Sequence, residues 1–291
     1  RVLSKAIELK KLLRQSIPHR LLEGKAIALI FAKPSTRTRV SFEAGIAHLG
    51  AHPICLDPSD LQLGRGETIS DTGKVLSRYV DAIVIRTYLQ KEVEELAEAA
   101  DVPVINGLTN DFHPCQALAD LLTILEKKER LSGLKIVYVG DGNNVANSLV
   151  IASAKMGMNI HLASPMGYEV KEEVLELARK ELRNPKQMIC LTNDPFTAMK
   201  NADVIYTDVW TSMGNENEGL KRKKVFKDYQ VNTKLVSYAK NNCIVMHCLP
   251  AHRGEEITDE VMADSKCVVF DQAENRLHTQ KALLTLLLSG S

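Results

Sequence analysis

The stretch Ala26-Ile27-Ala28-Leu29-Ile30-Phe31-Ala32-Lys33-Pro34-Ser35-Thr36-Arg37-Thr38-Arg39 changes character halfway along. Its first six residues form a short apolar run, the pattern of a strand buried on both faces. Pro34 and the hydroxyl residues after it mark a helix start. Phe42, Ile46 and Leu49 then follow at helical spacing, before Gly50 closes the helix. A strand feeding a helix through a tight turn is the unit of an α/β fold. There the helix start offers free backbone N–H groups and a positive dipole end at the carboxyl edge of the sheet. Ser35, Thr36 and Thr38 add hydroxyls and Arg37 and Arg39 add guanidiniums, so the turn is a candidate site for a phosphate-like anion. The competing reading is a merely capped helix with solvated arginines. The Gly-x4-Gly-Lys pattern of a P-loop is missing.

The same alternation runs through all 291 residues. Apolar runs predict further strands at Pro53–Leu56, Ala82–Ile85, Val104–Ile105, Lys135–Val139, Asn159–Leu162, Ile189–Leu191, Val204–Tyr206, Ile244–Met246 and Cys267–Phe270. Helices fill the gaps, most clearly Val145–Met156 and Glu169–Glu181. The last, Glu274–Leu288, is apolar on more than one side and should pack against protein. The expected fold is therefore α/β, with two doubly wound domains, each a central parallel sheet flanked by helices. The polar stretch Lys127–Gly133 places the boundary, giving residues 1–128 and 129–271, with the last helix (272–291) packing back on the first domain.

Composition narrows the partners. With 37 basic and 36 acidic residues, the net charge of +1 gives no sign of a nucleic-acid or acidic-membrane partner. The dense basic run Lys221-Arg222-Lys223-Lys224 reads as solvated surface. The six cysteines form no CxxC pair, which argues against a zinc knuckle or disulfide framework and for a reducing, cytoplasmic setting. No apolar run approaches the roughly 18 residues of a membrane span, and no signal-peptide pattern opens the chain. Arg1 already lies in a helical stretch, so a preceding segment, which a targeting signal could occupy, is expected.

Several other turns carry chemistry-bearing residues. Arg86-Thr87 ends a strand, and His113-Pro114-Cys115-Gln116 opens a helix. Gly140-Asp141-Gly142-Asn143-Asn144-Val145 follows a strand and mimics a dinucleotide fingerprint, so a nicotinamide-dependent dehydrogenase is a competing reading. Val145 stands where the third glycine belongs, and no acidic residue ends the next strand near Leu162, both of which weaken it. Taken singly, Trp210 and Met213 read as packing residues and Cys248 as a small buried hydrophobe.

Taken together, the motifs resemble one family. Lys33-Pro34-Ser35-Thr36-Arg37-Thr38-Arg39 looks like the signature of the aspartate/ornithine carbamoyltransferase family, whose members often carry Glu where this chain has Ala32. His113-Pro114-Cys115-Gln116, Gly140–Asn144, Asp208-Val209-Trp210-Thr211-Ser212-Met213-Gly214 and Met246-His247-Cys248-Leu249-Pro250-Ala251 extend the likeness in the right order, from about Leu22 to Arg276. The Ser-Met-Gly loop and Cys248 are features of its ornithine branch.

The resemblance implies carbamoyl phosphate on Ser35, Thr36, Arg37 and Thr38, with Arg86, His113, Gln116, Cys248, Leu249 and Arg276 as further ligands. It implies that Gln62 reaches a neighbouring site, hence a homotrimer with active sites near subunit interfaces. It implies ornithine on Asn144, Asp208, Ser212 and Met213, with Asp208, Cys248, Arg86 and His113 catalytic. The expected reaction carbamoylates the δ-amine of L-ornithine to give L-citrulline and phosphate, as in arginine biosynthesis. Neither a metal nor an organic cofactor is expected.

Overall fold

The computed structural model describes residues 1–57, 66–211 and 216–289. The chain divides into two compact units, Arg1–Ala119 with Glu274–Ser291, and Asp120–Ala273. Among the described residues, no helix is long and apolar enough to cross a membrane.

The first unit opens with α1 (Val2–Arg14), β1 (Ala26–Phe31), α2 (Thr36–His48), β2 (His52–Leu56) and α3 (Ile69–Leu76). β3 (Ala82–Arg86), α4 (Gln90–Ala99), β4 (Val104–Leu108) and α5 (Pro114–Lys128) follow. Its strands make a parallel sheet in the order β2-β1-β3-β4. The central strands β1 and β3 are the apolar ones. Ile27, Ala28, Leu29, Ala82, Ile83 and Val84 are fully buried, as a sheet covered on both faces requires. The chain leaves β1 for β2 on one side and then crosses to β3 on the other. The strand order thus reverses between β1 and β3, which opens a crevice beyond their carboxyl ends.

The second unit contains β5 (Lys135–Val139), α6 (Asn144–Met156), β6 (Asn159–Ala163), α7 (Glu172–Arg179), β7 (Ile189–Thr192) and α8 (Pro195–Met199). It continues with β8 (Val204–Thr207), α9 (Gly219–Val225), α10 (Thr233–Val236), β9 (Ile244–His247), α11 (Asp259–Ala263) and the start of α12 (Val269–Leu288). The parallel order β7-β6-β5-β8-β9 reverses between β5 and β8. Trp210, Phe226, Val245 and Val269 belong to its core, so Trp210 is a packing residue.

Two expectations change. Cys267–Phe270 is not a strand: Cys267 makes one bridge to Val245, and α12 begins at Val269. Four apolar residues cannot distinguish a strand from a buried helix start. Helical geometry instead turns Gln272 back onto the sheet, where its Oε1 accepts from the His247 amide and its Nε2 donates to Asp120 and Tyr206. Helix α5 contributes to both units, with Ala119 in the first and Asp120 in the second. The second half of α5 is claimed by partners of the second unit: Gln272 for Asp120, Asp271 for Lys127 and the Asn242 carbonyl for Lys128. Helix α7 begins at Glu172, later than Glu169, because Glu169 and Val170 run past Gly142.

Helix α12 carries charge as well as apolar residues. Lys281 is fully buried, and its Nζ lies 2.9 Å from His19 Nε2. His19 Nδ1 lies 2.9 Å from the Ile17 carbonyl and must be the donor there, which leaves Nε2 to accept from Lys281. Burial pushes the Lys281 amine down to about 8. Between that value and the unfolded value near 10.4, the unfolded chain binds more protons than the folded one, so this group adds stability as pH rises. The thermal stability difference between wild type and Lys281→Met should therefore change from pH 8 to pH 10; a difference independent of pH would contradict the assignment.

Candidate functional site

In the first unit, the polar residues gather at the strand-order reversal. Thr38, in the first turn of α2, is 1% exposed, and its Oγ1 accepts from Arg276 Nη2 at 2.9 Å and Arg86 Nη1 at 3.4 Å. Arg276 also donates through Nη1 to Gln116 Oε1 at 2.7 Å. One hydroxyl thus joins the ends of β1 and β3 to α12, and Gln116 adds α5. Ser35 occupies the N-cap position of α2 without a side-chain cap bond, and the first turn holds no acidic residue. The leading N–H groups of α2 are therefore not consumed by a capping side chain.

Arg37 and Arg39 separate. Arg39 pairs with Glu43 at 2.7 Å on the exposed side of α2, whereas the Arg37 guanidinium makes no ion pair among the described residues. His113 is buried, and burial first, then the charges of Arg276, Arg86 and Arg37, hold its imidazole well below the usual histidine range. It is neutral at pH 7 and can donate only one hydrogen bond. Ser35, Thr36, Arg37, Thr38, Arg86, His113, Gln116 and Arg276 all belong to this unit, and Gln62 lies outside the described residues.

In the second unit, the polar cluster lies at the β5–β8 reversal and at the end of β9. Asp208 follows β8 and is 5% exposed. Its Oδ1 accepts from Cys248 Sγ at 2.9 Å and the Val209 amide at 2.8 Å, and its Oδ2 accepts from Asn143 Nδ2 at 2.7 Å. Asn143 also caps α6, its Oδ1 accepting from the amides of Val145 and Ala146. Asn143 is a member of this cluster that the sequence reading does not single out; its place just before a helix is the available signal. Asn144 itself begins α6. Ser212 and Met213 lie outside the described residues.

Behind Cys248, the buried His247 and Glu256 fix the backbone. The Leu249 amide donates to His247 Nδ1 at 2.8 Å, so Nε2 carries the proton and donates to Glu256 Oε1 at 3.0 Å. Leu249 takes a φ of 58°, uncommon for a branched residue, and precedes a cis bond to Pro250. Donor atoms of Asp208, His247 and Cys248 lie within 4.8 Å of one another, as a metal site would need. Both ring nitrogens of His247 are already engaged, however, and Asp208 is held by three donors, so hydrogen bonding accounts for the cluster.

Arg222 corrects the reading of the basic run as wholly solvated. It is 7% exposed, and its Nη1 donates to Asp141 Oδ2 at 2.8 Å and the Trp210 carbonyl at 2.9 Å. Burial raises the Asp141 carboxyl, and the adjacent Arg222 charge opposes that rise. The run's spacing gave no hint, because only one of its four side chains turns inward. Gly142 also decides against the dinucleotide reading. A Cβ there would lie 2.4 Å from the Glu169 carbonyl carbon and the Val170 nitrogen, and the Gly142 amide donates to the Tyr168 carbonyl at 2.8 Å. The space a pyrophosphate would use is filled by protein backbone, and Asn143 takes the helix N–H groups.

Known proteins show the same organisation. The family model described as aspartate/ornithine carbamoyltransferase, carbamoyl-P binding domain, matches residues 1–126, and the model of the Asp/Orn binding domain matches residues 132–287. The ornithine carbamoyltransferase of Pyrococcus abyssi is 59% identical over 273 residues, 94% of this chain and 86% of that protein. That of Bacillus subtilis is 58% identical over 287 residues, 99% of this chain and 89% of that protein. The solved structure of ornithine carbamoyltransferase from Pyrococcus furiosus matches with a TM-score of 0.96 at 56% identity, covering 100% of this chain and 93% of that one. With the two family models together matching residues 1–126 and 132–287, the chain belongs to the aspartate/ornithine carbamoyltransferase family.

Proposed function

We infer that this protein transfers the carbamoyl group of carbamoyl phosphate to the δ-amine of L-ornithine, giving L-citrulline and phosphate for arginine biosynthesis. The observation that carries the reading is the meeting of Arg86 and Arg276 at Thr38 Oγ1, beside an uncapped helix start. The phosphate sits against Ser35, Thr36, Arg37 and Thr38, where backbone N–H groups and guanidiniums match its oxygens. Arg86, His113 and Gln116 face the carbamoyl group, with Arg276, Gln62, Cys248 and Leu249 as further contacts. Negative charge grows on the carbamoyl oxygen during attack, and Arg86 with neutral His113 stabilises it by donation.

Ornithine is held by Asn144, Asp208, Ser212 and Met213. Its δ-amine resembles lysine, with a solution pKa near 10.4, and attacks only when neutral. Asp208 orients the amine and Cys248 orients Asp208, together guiding its proton. The amine nitrogen bonds to the carbamoyl carbon, the C–O bond to phosphate breaks, and the amine proton is released. Positioning and electrostatics supply this chemistry from the chain's own side chains.

We further read the working form as a homotrimer with active sites near its interfaces, acting in the cytoplasm. The family likeness and six free thiols support this reading. A monomeric mass in solution would overturn the first part.

Citrulline formation should follow addition of ornithine, and not of aspartate, putrescine or N-acetylornithine, to carbamoyl phosphate; preference for another amine would replace the substrate. Arg37→Ala should reduce turnover by on the order of 10³-fold with an unchanged circular dichroism spectrum. Unaltered turnover would remove Arg37 from the site. Cys248→Ser should lose about 10²-fold in kcat and leave the KM for carbamoyl phosphate nearly constant; an unaffected kcat would dismiss its role.

A further inference from the structure

Helices α2 and α12 touch at two levels. At the first, Thr38 Oγ1 accepts from Arg276 Nη2 at 2.9 Å. At the second, two helical turns along the same face of α2, stands Gly45. A Cβ on Gly45 would lie 3.1 Å from Lys281 Cγ, 3.4 Å from Leu277 Cδ1 and 3.8 Å from the Leu277 carbonyl. A side chain on α2 here would press on the Lys281 stem, which would have to give by a few tenths of an ångström. Arg276 and Lys281 lie little more than one turn apart on α12, so the two contacts act on one short stretch of each helix.

The residue filling the second contact is an unusual choice. Burying an ammonium is unfavourable, and an apolar residue of similar length would fill the same space. What lysine adds is an anchored far end. Its Nζ donates to His19 Nε2, and His19 is itself fixed by donation from Nδ1 to the Ile17 carbonyl. The aliphatic stem is thereby pinned between the Ile17–His19 segment and the bare face of Gly45.

We propose that the Gly45–Lys281–His19 contact is a spacer that sets the separation of α2 and α12 and so places Thr38 and Arg276 in the anion site. Gly45, Lys281 and His19 are then positioning residues for carbamoyl-phosphate binding. The inference rests on the reading of Thr38 and Arg276 as ligands of that substrate.

The test compares Gly45→Ala, Gly45→Ala/Lys281→Ala, Lys281→Met and Arg276→Lys in steady-state kinetics, with folding monitored by circular dichroism. Gly45→Ala should raise the KM for carbamoyl phosphate about tenfold, a typical effect of sub-ångström misplacement, and leave the KM for ornithine at saturating carbamoyl phosphate unchanged. Removing the lysine stem beside the new methyl in the double variant should restore that KM to within about threefold of wild type. Lys281→Met adds no methyl and loses the anchor, so it tests the spacer even if Gly45→Ala does not fold; its KM for carbamoyl phosphate should rise about threefold. A raised KM in Arg276→Lys with an unaltered KM in Lys281→Met and any folded Gly45→Ala overturns the spacer alone. An unaltered KM in Arg276→Lys overturns the ligand reading and the spacer with it. Equal losses for both substrates in Gly45→Ala would mark a merely destabilised fold and also overturn the proposal.

Discussion

Two guanidiniums, Arg86 and Arg276, converge on the hydroxyl of Thr38, both less than a tenth exposed. Like charges held together away from water repel, and a weakly solvated site strengthens that repulsion. The fold accepts this because each participant is fixed by an element that serves other ends: Arg86 ends a central strand, Thr38 starts a helix and Arg276 lies inside α12. On the proposed function, an arriving phosphate would relieve the repulsion and find its donors already oriented. His113 completes the arrangement by staying neutral, since a further positive charge among the arginines would cost more than its hydrogen bond returns.

The two sheets share a topology and use it differently. Both reverse strand order once, and each places a helix start at the reversal. At α2 no side chain caps the helix and arginines surround it. At α6 Asn143 takes the amides of Val145 and Ala146, and the backbone of Glu169 and Val170 closes over Gly142. One helix start is open to an anion, and the other is occupied by protein. Arg222 adds to the second case by tying Asp141 of this turn to the carbonyl of Trp210 after β8.

Apolar runs and helical spacing made nine of the ten predicted strands legible in order, because a parallel sheet buried on both faces leaves little choice of residue type. The exception, Cys267–Phe270, was too short for periodicity to decide. The candidate anion site was legible where a turn concentrates polar residues, as at Lys33–Arg39. Other features depended on side-chain direction, which spacing along the chain does not encode. Arg222 among three neighbours of like charge and the contact of Asn143 with Asp208 are of this kind.

Asp208 shows what such direction does to chemistry. A carboxylate offers about four acceptor positions. Among the described residues, Cys248, Val209 and Asn143 fill three. About one position is left, directed by donors that approach from the ends of β5, β8 and β9. A single acceptor suits the δ-amine of ornithine, which needs one firm hydrogen bond to fix its lone pair. A guanidinium asks for two parallel acceptors and would leave one N–H without a partner. The backbone that sets Cys248 is held in turn by His247 and Glu256, so on the proposed role of Asp208 selection for an amine would trace back to a buried pair that touches neither Asp208 oxygen.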